Sequence, residues 1–204
     1  MVNKILIATK NKGKAHEFEH LMAPYGIEVL SLLDLNYEDD ISEDGETFEE
    51  NALIKARTIA KEYGITVLAD DSGLEIDALD GAPGVYSARY AGDARDDREN
   101  INKVLFELAG TTNPEERTAR FVCSLALACE NGDEYVVSGA CEGLILNEKR
   151  GSEGFGYDPI FYLPHLGKTM AEIPKAEKNV LSHRSQAFQK LLEVLEKVMR
   201  GDVK

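Results

Sequence analysis

Several short polar segments of this chain hold side chains that could do chemistry together. Thr9-Lys10-Asn11-Lys12-Gly13-Lys14 gathers a hydroxyl, an amide and three lysines around one glycine. Set between a strand and a helix, such a run makes an anion site, because helix N-terminal N–H groups and ammonium groups both favour negative charge. It is not a Walker A loop, since the GxxxxGK[ST] spacing is missing. Asp70-Asp71-Ser72-Gly73 follows the apolar run Thr66 to Ala69. Carboxylates at the end of a buried strand suit Mg²⁺, which prefers oxygen ligands and keeps several waters. Neighbours on an extended chain point to opposite sides, so one of the two aspartates faces the ligand.

Further segments add to these two. The acidic stretch Glu38 to Glu50 could supply a second metal carboxylate, and its composition does not say which. Gly151 to Asp158 (GSEGFGYD) flanks the aromatic Phe155 with glycines. A base can stack on such a ring while backbone approaches it closely. Lys178, Ser182, His183 and Arg184 form a polar group ahead of a C-terminal helix. Taken singly, each segment also fits an ordinary turn, a solvated face or a capped helix start. What matters is their conjunction in one acidic chain: a phosphate-type loop, strand-end carboxylates, a glycine–aromatic loop and Ser-His-Arg.

The elements around these segments are legible from patterning. Lys4 to Thr9 reads as a buried strand and Ile27 to Ser31 as another. A helix is expected from Ala15, ended by Pro24 and Gly26. Thr47 with Glu50 makes a capping box for a helix closed by Tyr63-Gly64. Thr66 to Ala69 is expected as a strand, Leu74 to Ala78 as a further strand or hairpin arm, and Gly81 to Gly84 as a turn. Asp96 to Leu108 is an amphipathic helix, and Asn131-Gly132 joins two long strands, Thr118 to Glu130 and Glu134 to Ile145. A last helix from Ser182 puts Phe188, Leu191, Leu192, Leu195 and Val198 on one face. Strands alternating with helices, then a long hairpin, imply an α/β fold with a mixed sheet.

Charge narrows the function. The chain has 23 Lys and Arg against 37 Asp and Glu, a net charge of −14. Such a surface repels nucleic acid. It also repels a free triphosphate, so an anionic ligand requires clustered cations, a divalent metal, or both. No apolar run approaches the roughly 20 residues that cross a bilayer, and Met1 to Ile7 lacks a signal-peptide layout. Cys123, Cys129 and Cys141 are odd in number and without CxxC spacing. They read as core residues of a protein in a reducing compartment, the cytoplasm. With 204 residues and no long linker, one domain of two lobes is expected.

ATKNKGK with Glu17, TFEENALIKA, LADDSGLEIDALDGAPGVYSARYAG, GFGYDPIF and AEIPKAEKNVLSHR together resemble the inosine/xanthosine triphosphate pyrophosphatase family. The resemblance runs in register from Ile5 to about Leu192. It implies an elongated, two-lobed α/β fold around a long twisted mixed sheet, with the nucleotide in a cleft between lobes, and a homodimer. It implies cleavage of XTP, ITP or dITP to the monophosphate and pyrophosphate with Mg²⁺, which cleanses the nucleotide pool.

On this resemblance Thr9 to Lys14 is the phosphate loop, with Lys10 where many relatives have Gly. Lys55 is a second phosphate lysine, and Glu43 and Asp71 are the metal ligands. Asp71 is also the general base, with Asp70 as the alternative, and Ser72 touches substrate. Phe155, Gly156, Tyr157 and Asp158 form the base loop. Lys178, His183 and Arg184 read the base. A related pyrophosphatase for modified pyrimidine nucleotides is a competing reading, disfavoured by the Ser-His-Arg run. A non-catalytic nucleotide-binding regulator is another, disfavoured by the retention of Asp71 with both lysines.

Overall fold

The structure is a computed structural model that describes residues 4–200, the side chains of 179 and 196–200 apart. Met1 to Asn3 and the side chain of Val198 lie outside the described residues. The order of elements is β1 (Lys4–Ile7), α1 (Lys12–Met22), β2 (Glu28–Ser31), α2 (Phe48–Tyr63) and β3 (Val67–Ile76), followed by α3 (Asp97–Glu107) and β4 (Thr118–Ala128). Then come β5 (Glu134–Ile145), β6 (Phe161–Leu163), β7 (Lys168–Thr169), α4 (Lys175–Leu181) and α5 (His183–Arg200).

Local signals set the helix ends. The Asn11 side chain accepts from the Lys14 N–H and so starts α1 three residues earlier than periodicity alone predicts. Around α2 the capping box is complete: the Thr47 hydroxyl accepts from Glu50 N at 3.1 Å, and the Glu50 carboxylate accepts from Thr47 N at 3.3 Å. Gly64, at φ 65°, closes that helix in the left-handed region, where a side chain is disfavoured. Asn131-Gly132 turns β4 into β5, with Cys129 N donating to Asp133 O at 2.8 Å.

The strands form one mixed sheet in the order β2-β1-β3-β4-β5-β6-β7. β1 is parallel to β2 and to β3, whereas β6 runs antiparallel to both β5 and β7. Three points differ from the sequence reading or add to it. First, β3 does not end at Ala69 but continues unbroken to Ile76, so Asp70 and Asp71 lie inside a ten-residue strand. Their carboxylates find side-chain cations there, so the buried charge does not force the chain out to solvent. Second, the C-terminal helical region breaks at Ser182, with Lys178 on α4 and His183 and Arg184 opening α5. Third, β6 and β7, three and two residues long, had no readable period.

By contact density the chain divides into two compact units. One comprises Met1–Asp71, Cys123–Gly139 and Arg184–Lys204, the other Ser72–Val122 and Ala140–His183. The first unit buries Phe18, Met22, Leu68, Phe188 and Leu191 in one cluster and Leu6, Leu32, Ala52, Ala56 and Ile59 in another. The second buries Leu74, Ile101, Val104, Phe121, Ile160 and Phe161. Each fully buried Leu or Phe contributes about 1.5–3 kcal/mol. Among the described residues no helix is long and apolar enough to cross a membrane.

Candidate functional site

Strand geometry sends Asp70 and Asp71 to opposite faces of β3. Asp70 is 1% exposed. Its carboxylate pairs with the Lys14 ammonium, accepts from Arg184 Nε at 3.1 Å and receives the Cys123 thiol at 3.0 Å. Burial alone would raise its pKa, but Arg184 and Lys14 outweigh burial and hold the carboxyl well below the usual range. Arg184, also 1% exposed, pairs with Glu17 as well and lies over the Phe18 ring at 5.8 Å. Lys14, Arg184, Asp70 and Glu17 thus form a charge-balanced group, with Asp70 and Arg184 buried and Lys14 and Glu17 partly so.

Asp71 has a different environment. Its Oδ1 accepts from Lys55 Nζ at 2.8 Å, and Glu43 Oε2 lies 3.5 Å from the same ammonium. Its Oδ2 is buried with no hydrogen-bond partner. Burial pushes the Asp71 carboxyl above its ordinary value despite Lys55 and Lys14, and Glu43 adds to the rise. Lys55 is pushed down by burial but held above its ordinary value by Asp71 and Glu43. Burial is the largest influence on each group, and beside it two carboxylates share one ammonium, an excess of negative charge at this point.

That excess suits a hard divalent cation. The unpartnered Asp71 oxygen and the nearby Glu43 carboxylate are the oxygen donors Mg²⁺ takes. Among the described residues no three His, Cys, Asp or Glu side chains converge on one point. A two-carboxylate site, completed by water and substrate oxygens, is the usual form for Mg²⁺.

The Thr9–Lys14 segment forms the expected turn into α1. Thr9 is buried and its hydroxyl accepts from Asn11 N at 3.1 Å, while Asn11 Oδ1 accepts from Lys14 N at 3.1 Å. The side-chain acceptors thereby fix the loop. The opening amides of α1, beginning with Lys12 and Gly13, have no carbonyl partner within the helix. Lys12 is exposed. Lys10 is placed otherwise than its loop position suggested. Its ammonium donates to the carbonyls of Glu38 and Asp39 at 2.9 and 2.7 Å and meets Asp40 at 3.4 Å. It ties down the acidic segment that leads to Glu43.

The second unit holds the remaining candidates. Asp158 Oδ2 accepts from Phe155 N at 3.0 Å and from Lys178 Nζ at 2.7 Å, and that ammonium lies 4.9 Å over the Phe155 ring. Gly156 N donates to Asp97 at 2.8 Å. Tyr157 is a core residue, its hydroxyl donating to Ser87 O at 2.7 Å. It anchors the loop from beneath, its buried hydroxyl satisfied by that carbonyl. Ser72 follows Asp71 on β3 and is half-buried. His183 stacks on Phe121, ring centroids 5.0 Å apart.

Nothing in the spacing of Glu17 shows that it pairs with Arg184. Cys123 reads as core and is core, yet its thiol is also a donor to Asp70. Gly154 is one of the glycines that flank Phe155. A Cβ there, at φ 82°, would sit 2.0 Å from Asp158 Oδ2. Only a glycine lets that carboxylate close on Phe155 N and Lys178.

A mixed α/β sheet with an anion loop beside a carboxylate–lysine cluster defines a protein built to handle phosphate esters. The Ham1 family profile matches residues 5–194, and the chain belongs to that family. A Listeria monocytogenes protein named dITP/XTP pyrophosphatase is 52% identical over 203 residues, 98% of this chain and 100% of the relative. A Bacillus licheniformis protein of the same name is 50% identical over 195 residues, 96% and 99% of the two chains. The solved structure of a HAM1 protein from Coxiella burnetii matches with a TM-score of 0.84 at 45% identity, covering 95% of this chain and 98% of that one.

Proposed function

We propose that this chain hydrolyses nucleoside triphosphates with an aberrant 6-oxo purine, XTP, ITP or dITP, to the monophosphate and pyrophosphate, with Mg²⁺ as cofactor. The observation that carries the reading is the Asp71–Lys55–Glu43 group, with a buried carboxylate oxygen left unpartnered. The pyrophosphatase names of relatives at 50% and 52% identity support the substrate class.

Asp71 and Glu43 would hold the metal. Bound there, Mg²⁺ offsets phosphate charge and acidifies water. Lys14, Lys55 and the opening amides of α1 supply positive charge to the non-bridging oxygens. Asp71 accepts the proton of the water that attacks the α-phosphorus. Asp70, held low by Arg184 and Lys14, is the poorer base of the two. Phe155 gives a face for the base, and Lys178, His183 and Arg184 read its edge. The protein acts as a homodimer in the cytoplasm, with residues 1–204 serving as one domain. Its net charge of −14 leaves small nucleotides, not nucleic acid, as the ligand.

The test is pyrophosphate release from XTP, ITP, dITP, GTP, ATP and dTTP with Mg²⁺ and with EDTA. Turnover should favour the first three and vanish in EDTA. Preference for ATP or dTTP would overturn the substrate class, and full activity in EDTA would overturn the metal.

A further inference from the structure

His16 and His20 lie one turn apart on α1, on the same exposed face. Their Nε2 atoms are 3.0 Å apart, and the rings meet edge to face with centroids 4.4 Å apart. His16 Nδ1 lies 3.3 Å from the Glu19 carboxylate. A carboxylate can only accept, so Nδ1 carries the proton and the His16 Nε2 lone pair faces His20. A carboxylate behind an imidazole is the arrangement that orients metal-binding histidines and raises their basicity. Ions such as zinc bind imidazole nitrogen at about 2.0–2.1 Å, which puts two such nitrogens roughly 3 Å apart at a bond angle near 90–110°. The observed spacing falls in that range.

We infer that His16 and His20, backed by Glu19, form a surface site for one imidazole-preferring divalent ion of the zinc, nickel and copper class. Magnesium does not compete there, because it demands oxygen ligands. The surrounding run His16-Glu17-Phe18-Glu19-His20 matches the HExxH pattern of zinc hydrolases, in which the Glu serves as general base. That role is closed here, since Glu17 is ion-paired with Arg184. The site binds and does not hydrolyse. Water fills the rest of the coordination sphere, as no third His, Cys, Asp or Glu converges among the described residues. An ion bridging one turn of α1 binds only the folded helix, and so stabilises the element that carries Lys14 in its first turn.

The experiment uses Ni²⁺ as probe, titrated calorimetrically into chelator-stripped protein in excess Mg²⁺, with melting curves alongside. The parent protein should bind one equivalent, with a rise in Tm. His16→Gln and His20→Gln should each weaken binding by at least about tenfold and remove the rise, and Glu19→Gln should weaken it by about tenfold. All three side chains are exposed, and pyrophosphate release with Mg²⁺ should be unchanged in each variant. Absence of binding by the parent, equal binding by the histidine variants, or displacement of Ni²⁺ by Mg²⁺ would overturn the site.

Discussion

Asp70 and Asp71 are neighbours on β3 that face opposite ways into different charge environments. Asp70 meets Lys14, Arg184 and the Cys123 thiol, whereas Asp71 meets Lys55 and keeps one oxygen without a partner. The pairing around Asp70 neutralises it and fixes two cations. The pairing around Asp71 leaves spare charge and a spare lone pair, which is what a reacting centre needs.

Substitution should therefore separate the two. Asp71→Asn should cut turnover by about 100-fold or more, the size of a lost base or electrostatic group. Its Tm should change little, because Lys55 keeps Glu43 as a partner. Asp70→Asn leaves Arg184 and Lys14 poorly compensated in a buried site, a loss of about 3–5 kcal/mol. For a chain of this size that is on the order of a 10 °C fall in Tm. Equal melting temperatures for the two variants would refute the division of labour.

Lys14→Ala and Lys55→Ala should both lower kcat/KM, by about 100-fold each, if they serve phosphate oxygens. Both lysines belong to the first unit and the Phe155–Asp158–Lys178 group to the second, so the ratio of XTP to ATP turnover should stay constant. Steady-state kinetics on both substrates decide it. A ratio that moves with either lysine would place that side chain at the base.

Much of this arrangement was legible because it is local. The capping box at Thr47, the Asn131-Gly132 turn and the opposite facing of Asp70 and Asp71 all follow from spacing within a few residues. What stayed hidden depends on contacts between distant segments. β3 reads as ending at Ala69, because the cations that let buried carboxylates remain in a strand come from Lys14, Lys55 and Arg184. The same holds for Lys10, whose partners are some thirty residues away. Tyr157 sits in an aromatic, glycine-rich run that suggests a ligand, and only its bond to Ser87 shows it to be core.

Gly154 offers a test of the loop in the second unit. Gly154→Ala places a methyl 2.0 Å from Asp158 Oδ2 and forces a side chain into φ 82°. Asp158 must then release Phe155 N or Lys178, and the ring loses its position. Misplacement of about 1 Å costs on the order of 100-fold in kcat/KM. Asp158 and Lys178 are buried, so Tm should fall as well, whereas Ser152→Ala in the same loop should behave as the parent. Undiminished kcat/KM in Gly154→Ala would remove this loop from the site.

Arg184 is the residue whose role is hardest to separate from its packing. Its guanidinium binds Asp70 through Nε and Glu17 through NH1, and these bonds fix the plane of the group. A guanidinium has only donors, and the 6-oxo group of xanthine, hypoxanthine or guanine is an acceptor. Adenine presents an amino group there, so donor meets donor, and discrimination by several powers of ten is within reach. Arg184→Ala should thus have two effects. It leaves Asp70 and Glu17 without their shared cation, and Tm should fall. On the proposed reading it also removes the contact to the base, so kcat/KM for ITP and XTP should collapse while the trace turnover of ATP changes far less. The two effects are read in separate measurements, melting for the first and the ITP-to-ATP ratio for the second. A fall by one common factor across ITP, XTP, GTP and ATP would mean that Arg184 serves only to neutralise Asp70 and Glu17, and base selection would then rest on Lys178, His183 and the Phe155 loop.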